Sequence, residues 1–223
     1  MPIRKLPLVT NHIYHIFNKA IDNKPIFLDR RILQRTIDSI NYYGNYKTQV
    51  RLSHFLNWSI KRKNQYLKDS ANKSKNLINL LSYCLMPNHY HLLLEQKSDN
   101  GISKFMGNFQ NSISRYINTV SNRKGYVFQG QFKAVIIETN EQLIHVSRYI
   151  HLNPYSSFFV KNIEDLKQFK WSSLNEYISR QKILCDIDLI LSNFKNGNDY
   201  WEFVENQAEY QRKLEEIKHL TLE

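Results

Sequence analysis

Residues 82–95 read SYCLMPNHYHLLLE, and the His89-Tyr90-His91 spacing inside this apolar, β-rich run is the first place where chemistry could reside. Successive side chains of a strand alternate faces, so His89 and His91 point one way and Tyr90 the other. Two imidazoles on one face can share a divalent cation. Pairs of this form also arise by chance, so the reading needs a third ligand and a task for the metal. The two cysteines, Cys84 and Cys185, lack metal-ligand spacing, which argues against an all-Cys/His zinc site. An oxygen ligand and a substrate phosphate would instead suit Mg²⁺ or Mn²⁺. Residues 139–154, TNEQLIHVSRYIHLNP, supply a candidate partner group: Tyr149 and Asn153 stand four apart on a predicted helix and share a face. A tyrosine nucleophile and an amide oxygen ligand would be presented together. Taken alone, Tyr149 is one of 14 tyrosines and reads as a packing residue, while Asn153 reads as a helix-end residue before Pro154. Tyr116 is a rival nucleophile whose helical phase, with Phe109, Ile113 and Ile117, places it in the core. His145, one turn before Tyr149, is a rival ligand or phosphate contact that reads better as a half-buried packing residue.

The elements that must position these groups follow from periodicity. NHIYHIFNK (11–19) alternates as a first strand. Residues 29–44 carry Ile32, Leu33, Ile37 and Ile40 at helical spacing, with Asp29 as N-cap and Gly44 as stop. Within 45–76, RLSHFLNWSI reads as a strand and KRKNQYLKDSANKSKN as a charged loop, so the segment is expected to be an insertion. LINLLSYCLM, a Pro87-Asn88 turn and HYHLLLE form a predicted hairpin. Ile102, Phe105, Met106, Phe109, Ile113, Tyr116 and Ile117 mark an amphipathic helix. Residues 126–139 read as a strand. The helix after it has a capping box at Thr139 and Gln142 and is expected to end at Pro154. Strand, helix, hairpin, helix, strand, helix predicts an α+β, ferredoxin-like or RRM-like fold around a mainly antiparallel sheet. We divide the chain into a domain at 1–178 and a helical C-terminal extension at 179–223.

Lys and Arg outnumber Asp and Glu by 31 to 20, a formal charge of +11. A balance this basic favours a polyanionic partner, nucleic acid before membrane. No apolar run approaches the ~18 residues of a membrane helix, and two cysteines do not make a disulfide framework. The expectation is a soluble, cytoplasmic protein.

Five segments, NHIYHIFNKAIDNKPIF, YCLMPNHYHLLLE, GYVFQGQFKAVII, VSRYIHLNP and WSSLNEY, occur in this order. Together they resemble the REP-associated tyrosine transposases, a branch of the single-tyrosine HUH transposases of simple insertion sequences. The resemblance runs from about residue 8 to about residue 178. It implies that His89 and His91 are metal ligands, Tyr149 is the nucleophile and Asn153 is the third ligand. Insertion-sequence relatives often resemble this pattern with Gln at the last position, whereas the REP-associated branch has Asn, as here. It further implies a bacterial protein found on the nucleoid when bound to DNA.

The implied activity is cleavage and rejoining of single-stranded DNA beside a hairpin, with Mg²⁺ or Mn²⁺, through a 5′-phosphotyrosine. Candidate phosphate contacts are Lys61, Arg62, Lys63, Arg123, Lys124, Lys133 and Arg148, with Arg123, Lys124 and Lys133 favoured because they flank the motif strand. Gln129 and Gln131 are candidates for reading or stacking on bases. Two other readings compete. A catalytically silent nucleic-acid-binding module on an RRM-like fold fits the charge equally, but gives no reason for His-x-His and Tyr-x-x-x-Asn in one chain. A water-using metal hydrolase would need more carboxylates, and Glu95 is the nearest in sequence to the histidines. The sequence leaves open whether the chain acts as a monomer or a homodimer, with Tyr149 supplied in cis or in trans.

Overall fold

The computed structural model describes residues 7–45, 50–73 and 76–221. Four strands, β1 (Ile13–Lys19), β2 (Ile78–Met86), β3 (His89–Gln96) and β4 (Lys133–Ile137), form one sheet in the order β2-β3-β1-β4, every pair antiparallel. Helix α1 (Arg30–Asn45) follows β1, α4 (Gly101–Val120) follows the hairpin and α5 (Asn140–Ser156) follows β4. This is the expected α+β order. Between α1 and β2 lie α2 (Leu52–Leu56) and α3 (Ile60–Lys73), and after α5 come α6 (Leu174–Ser179), α7 (Asp188–Leu191), α8 (Gly197–Glu205) and α9 (Ala208–Thr221).

Local chemistry explains most boundaries. Asp29 caps α1 by accepting the Arg31 N–H at 2.8 Å, and Thr139 caps α5 by accepting the Gln142 N–H at 3.1 Å. The Gln142 side chain returns the contact by accepting the Glu138 N–H at 2.8 Å, the reciprocal arrangement of a capping box. Helix α4 can begin where it does only because residue 101 is glycine: a Cβ there would stand 2.1 Å from the Leu77 carbonyl oxygen. Its apolar stripe, Ile102, Phe105, Met106, Phe109, Ile113 and Ile117, is buried against the sheet. Tyr90 meets Phe109 edge-on at 5.3 Å, so α4 covers the sheet face that Tyr90 points to. Helix α5 covers the opposite face, the one carrying His89 and His91.

Four sequence expectations are corrected. Residues 52–56 are helical rather than a strand, and 60–73 form a helix rather than a loop. Lys, Arg, Gln and Leu are good helix formers, and the half-buried Trp58, Tyr66 and Leu67 pack the segment onto the core. The strand expected over 126–139 is paired only over 133–137. Gly125 and Gly130, at φ 97° and 69°, turn the backbone before it, although Phe128 still bridges to Ala20. Helix α5 runs through Pro154 to Ser156. Pro154 removes one helical donor, and neighbouring groups hold the last turn instead: Gln211 donates to the Ser156 hydroxyl at 3.2 Å, and Arg212 donates to the Tyr155 carbonyl at 3.2 Å.

The near-continuous apolar run of β2 has a physical reason. Later segments cover its outer edge: the Leu85 N–H donates to the Trp171 carbonyl, the Ser173 N–H to Tyr83 and the Asp186 N–H to Leu80. The edge of β4 has no such cover among the described residues.

Candidate active site

The antiparallel register decides which side chains meet. Lys19 stands opposite His89, Phe17 opposite His91 and His15 two positions further along β1. Facing residues of an antiparallel pair share a face, so His15, Phe17, Lys19, His89 and His91 form one surface. Tyr149 descends onto it from α5. Its ring lies 5.6 Å from that of His91 and 6.0 Å from that of His15, edge-on to both. The rings of His89 and His91 are 5.0 Å apart. Tyr149 and the histidine pair, separated in sequence by α4, β4 and the first half of α5, therefore meet in one cleft of about 300 Å³.

The nitrogens are arranged for coordination. Asn88 Oδ1 lies 2.6 Å from His89 Nδ1, and His15 Nε2 lies 2.9 Å from His91 Nδ1. With each Nδ1 carrying the proton, both Nε2 atoms hold a free lone pair, the tautomer fixed by an orienting partner. His91 Nε2 is buried and has no hydrogen-bond partner, an expensive condition unless something fills it. Asn153 is buried, and its Nδ2 donates to the Tyr149 carbonyl at 2.9 Å. Asn153 lines the same cleft as both histidines. No three His, Cys, Asp or Glu side chains among the described residues group tightly enough to hold a metal. A cation here would thus take two imidazole nitrogens and the amide oxygen of Asn153. That donor set leaves positions open for phosphate oxygens.

Electrostatics point the same way. Burial lowers the His15 pKa to about 4. His89 is also lowered to about 4, by burial and then by the Lys19 charge, against the opposing pull of Glu215 and Asn153. His91 is pushed well below its ordinary value by burial and by its two histidine neighbours. All three rings are neutral at pH 7, the form that can bind a metal.

Of the predicted nucleic-acid contacts, Gln129 and Lys133 line the cleft beside Tyr149. Gln131 and Lys124 are exposed and outside it. Arg123 is engaged in its own loop, donating to the Tyr126 carbonyl at 2.9 Å. Arg148 is turned away: its guanidinium lies 4.2 Å from the Phe203 ring and donates to His145 Nδ1 at 2.7 Å. His145 is exposed and faces Arg148 and Glu141 rather than the cleft. Lys61, Arg62 and Lys63 sit on α3, with Arg62 stacked 4.0 Å over Trp58. Tyr116 is half-buried on α4, on the far side of the sheet from the histidines. Glu95 is paired with Lys97 and lies off the site.

Three residues of the site escaped the sequence reading. His15, beside the cleft against His91 and Tyr149, and Lys19, which lines it, are visible only through the β1–β3 register. Glu215 arrives from α9, which packs along α5, and it is the carboxylate that lines the cleft. Gln211 of the same helix donates to the Tyr149 carbonyl at 3.3 Å.

Comparison with known proteins then identifies the scaffold. A family model described as "Transposase IS200 like" matches residues 36–153, a span holding both histidines of the pair, Tyr149 and Asn153. A solved structure titled "Structure of the REP associates tyrosine transposase bound to a REP hairpin" shares the fold, with a TM-score of 0.52 at 14% identity over 84% of this chain and 90% of that one. No curated protein matches the chain significantly. With more than half of its length matched, from the second turn of α1 to the Asn153 turn of α5, the chain belongs to the family of IS200-like transposases.

Proposed function

We propose that this transposase cuts and rejoins single-stranded DNA through Tyr149, with Mg²⁺ or Mn²⁺ held by His89, His91 and Asn153. The observation that carries the reading is the placement of the Tyr149 ring against His91 and His15. A phosphodiester is kinetically inert, and cutting it requires a nucleophile held in line with the leaving group. Tyr149 Oη attacks phosphorus, the P–O3′ bond breaks, and the products are a 5′-phosphotyrosine and a free 3′-OH. A later 3′-OH attacks the same phosphorus and expels Tyr149, so rejoining needs no external energy source. The bound cation would supply charge stabilisation at the phosphate oxygens. Lys133 and Lys19, both lining the cleft, add fixed positive charge, and Gln129, also lining it, would hydrogen-bond a base. That the protein in the related structure is bound to a REP hairpin supports a hairpin beside the cut.

The test is cleavage of single-stranded oligonucleotides from the gene's own flanks, with Mg²⁺ or Mn²⁺. Wild type and Tyr116→Phe are expected to give a protein–DNA adduct that survives SDS, and Tyr149→Phe none. His89→Ala is expected to lose metal-dependent cutting. Binding without any adduct in wild type would favour the catalytically silent module. An adduct that persists in Tyr149→Phe and disappears in Tyr116→Phe would overturn the assignment.

A further inference from the structure

The far face of the sheet carries a second cleft, of about 420 Å³, between α1, α4 and the start of α2. Arg35, Arg51 and Arg115 line it together with Asn108, Asn111 and Tyr116, and no carboxylate among the described residues does. The nearest acidic influence is Asp38, one turn along α1, which already accepts a hydrogen bond from Gln34. Arg35 lies 5.3 Å over the Tyr116 ring, and its Nε is buried with no hydrogen-bond partner. A buried N–H without an acceptor is costly, so the cleft favours a ligand that brings acceptor oxygens. Arg51 and Arg115 are exposed at its rim. Three guanidiniums that converge without a counter-charge are matched by phosphate, whose oxygens take their forked donors.

We propose that this cleft is a second phosphate-binding site, one that holds the backbone of the DNA strand beyond the segment being cut. It rests on the reading of DNA as the partner. A free nucleotide shares the phosphate chemistry, but the arginines come from three separate elements around an open cleft, which suits a continuous backbone. The DNA then touches both faces of the sheet, with the cut strand at Tyr149 and a flanking segment between α1 and α4.

The experiment compares wild type, Arg51→Gln/Arg115→Gln and a control pair, Lys161→Gln/Lys170→Gln, which removes the same charge elsewhere. Fluorescence anisotropy of a long hairpin-bearing oligonucleotide reads binding as a function of salt. The arginine pair is expected to weaken binding about tenfold and to lower the slope of log K against log salt by about 1–2, with the control pair changing affinity less than twofold. Adduct formation on a short oligonucleotide spanning only the cut site should be unchanged in both. Wild-type affinity in the arginine variant, an equal loss in the control pair, or saturable binding of AMP at the cleft without any effect on DNA affinity would overturn the proposal. If wild type forms no adduct, the assignment of Tyr149 fails while the anisotropy arms still decide this site.

Discussion

The contact between His15 and His91 gives the histidine pair its orientation. An imidazole ligand whose second nitrogen is hydrogen-bonded keeps its tautomer and ring angle, and losing such a partner typically costs 10–100-fold in metal affinity. His15→Ala removes the acceptor 2.9 Å from His91 Nδ1 while leaving all three proposed ligands in place. Mn²⁺ titrated calorimetrically should therefore bind about tenfold more weakly to His15→Ala, and adduct formation should be rescued by excess Mn²⁺. His91→Ala should show no rescue. Unchanged Mn²⁺ affinity in His15→Ala would reduce His15 to a packing residue. The contrast between these histidines shows what one sequence discloses. His89 and His91 are legible because alternation within a single strand puts them on one face. His15 obeys the same alternation, but its meeting with His91 depends on a cross-strand register that no local pattern states.

Helix α5 links the site to the rest of the protein. One face presents Tyr149 and Asn153 to the sheet, and another sends Ser147 and His151 to Tyr200 of α8, at 3.0 and 2.7 Å. Its start was legible because the capping box is local chemistry. Its end was not, since Pro154 stops helices in isolation and here contacts from α9 hold the final turn. Helices α2 and α3 were missed for a related reason: the first read as a strand and the polarity of the second suggested a loop, and only the packing of Phe55, Trp58 and Tyr66 on one another shows the apolar stripe. Strand β4 carries a prediction of its own. It is an edge strand on which Val135 and Ile136 are exposed, and such an edge is a template for another strand. A homodimer formed by pairing two β4 edges would place a second copy beside Lys133. Sedimentation at micromolar concentration should then give a dimer for wild type and a monomer for Ile136→Lys, whose side chain lies on the face away from His15. A wild-type monomer under the same conditions would exclude this pairing.

At the scale of the whole molecule, two features set behaviour: a charge of +11 and histidines buried in their neutral form. The first was legible from composition. The second was not, because burial is a property of the folded chain. The C-terminal helices read as an extension, yet they supply the fully buried Tyr200, and no helix among the described residues is long and apolar enough to cross a membrane. His151 is completely buried where α5 meets these later segments. Its Nδ1 is 2.7 Å from the Tyr200 hydroxyl and its Nε2 2.8 Å from that of Ser173.

Burial lowers the His151 pKa to about 3, far below the ~6.5 of an unfolded histidine. Below pH 6.5 the unfolded chain therefore takes up a proton that the folded chain refuses. Stability is complete above that pH and is lost as pH falls toward 3, at about 1.4 kcal/mol per pH unit for each such group. His15 and His89, both lowered to about 4, act with the same sign. Asp186, held below its ordinary range chiefly by Asn79, adds to the acid sensitivity only at lower pH. Urea unfolding measured between about pH 4 and 6.5 should show stability falling steadily with acid. His151→Gln keeps a hydrogen-bonding side chain but has no proton to take up, so its slope should be shallower by about 1.4 kcal/mol per pH unit, whatever its stability at pH 7. Equal slopes for the two proteins would mean that His151 is already protonated in the folded state, and that its bonds to Tyr200 and Ser173 hold a cation rather than a neutral ring.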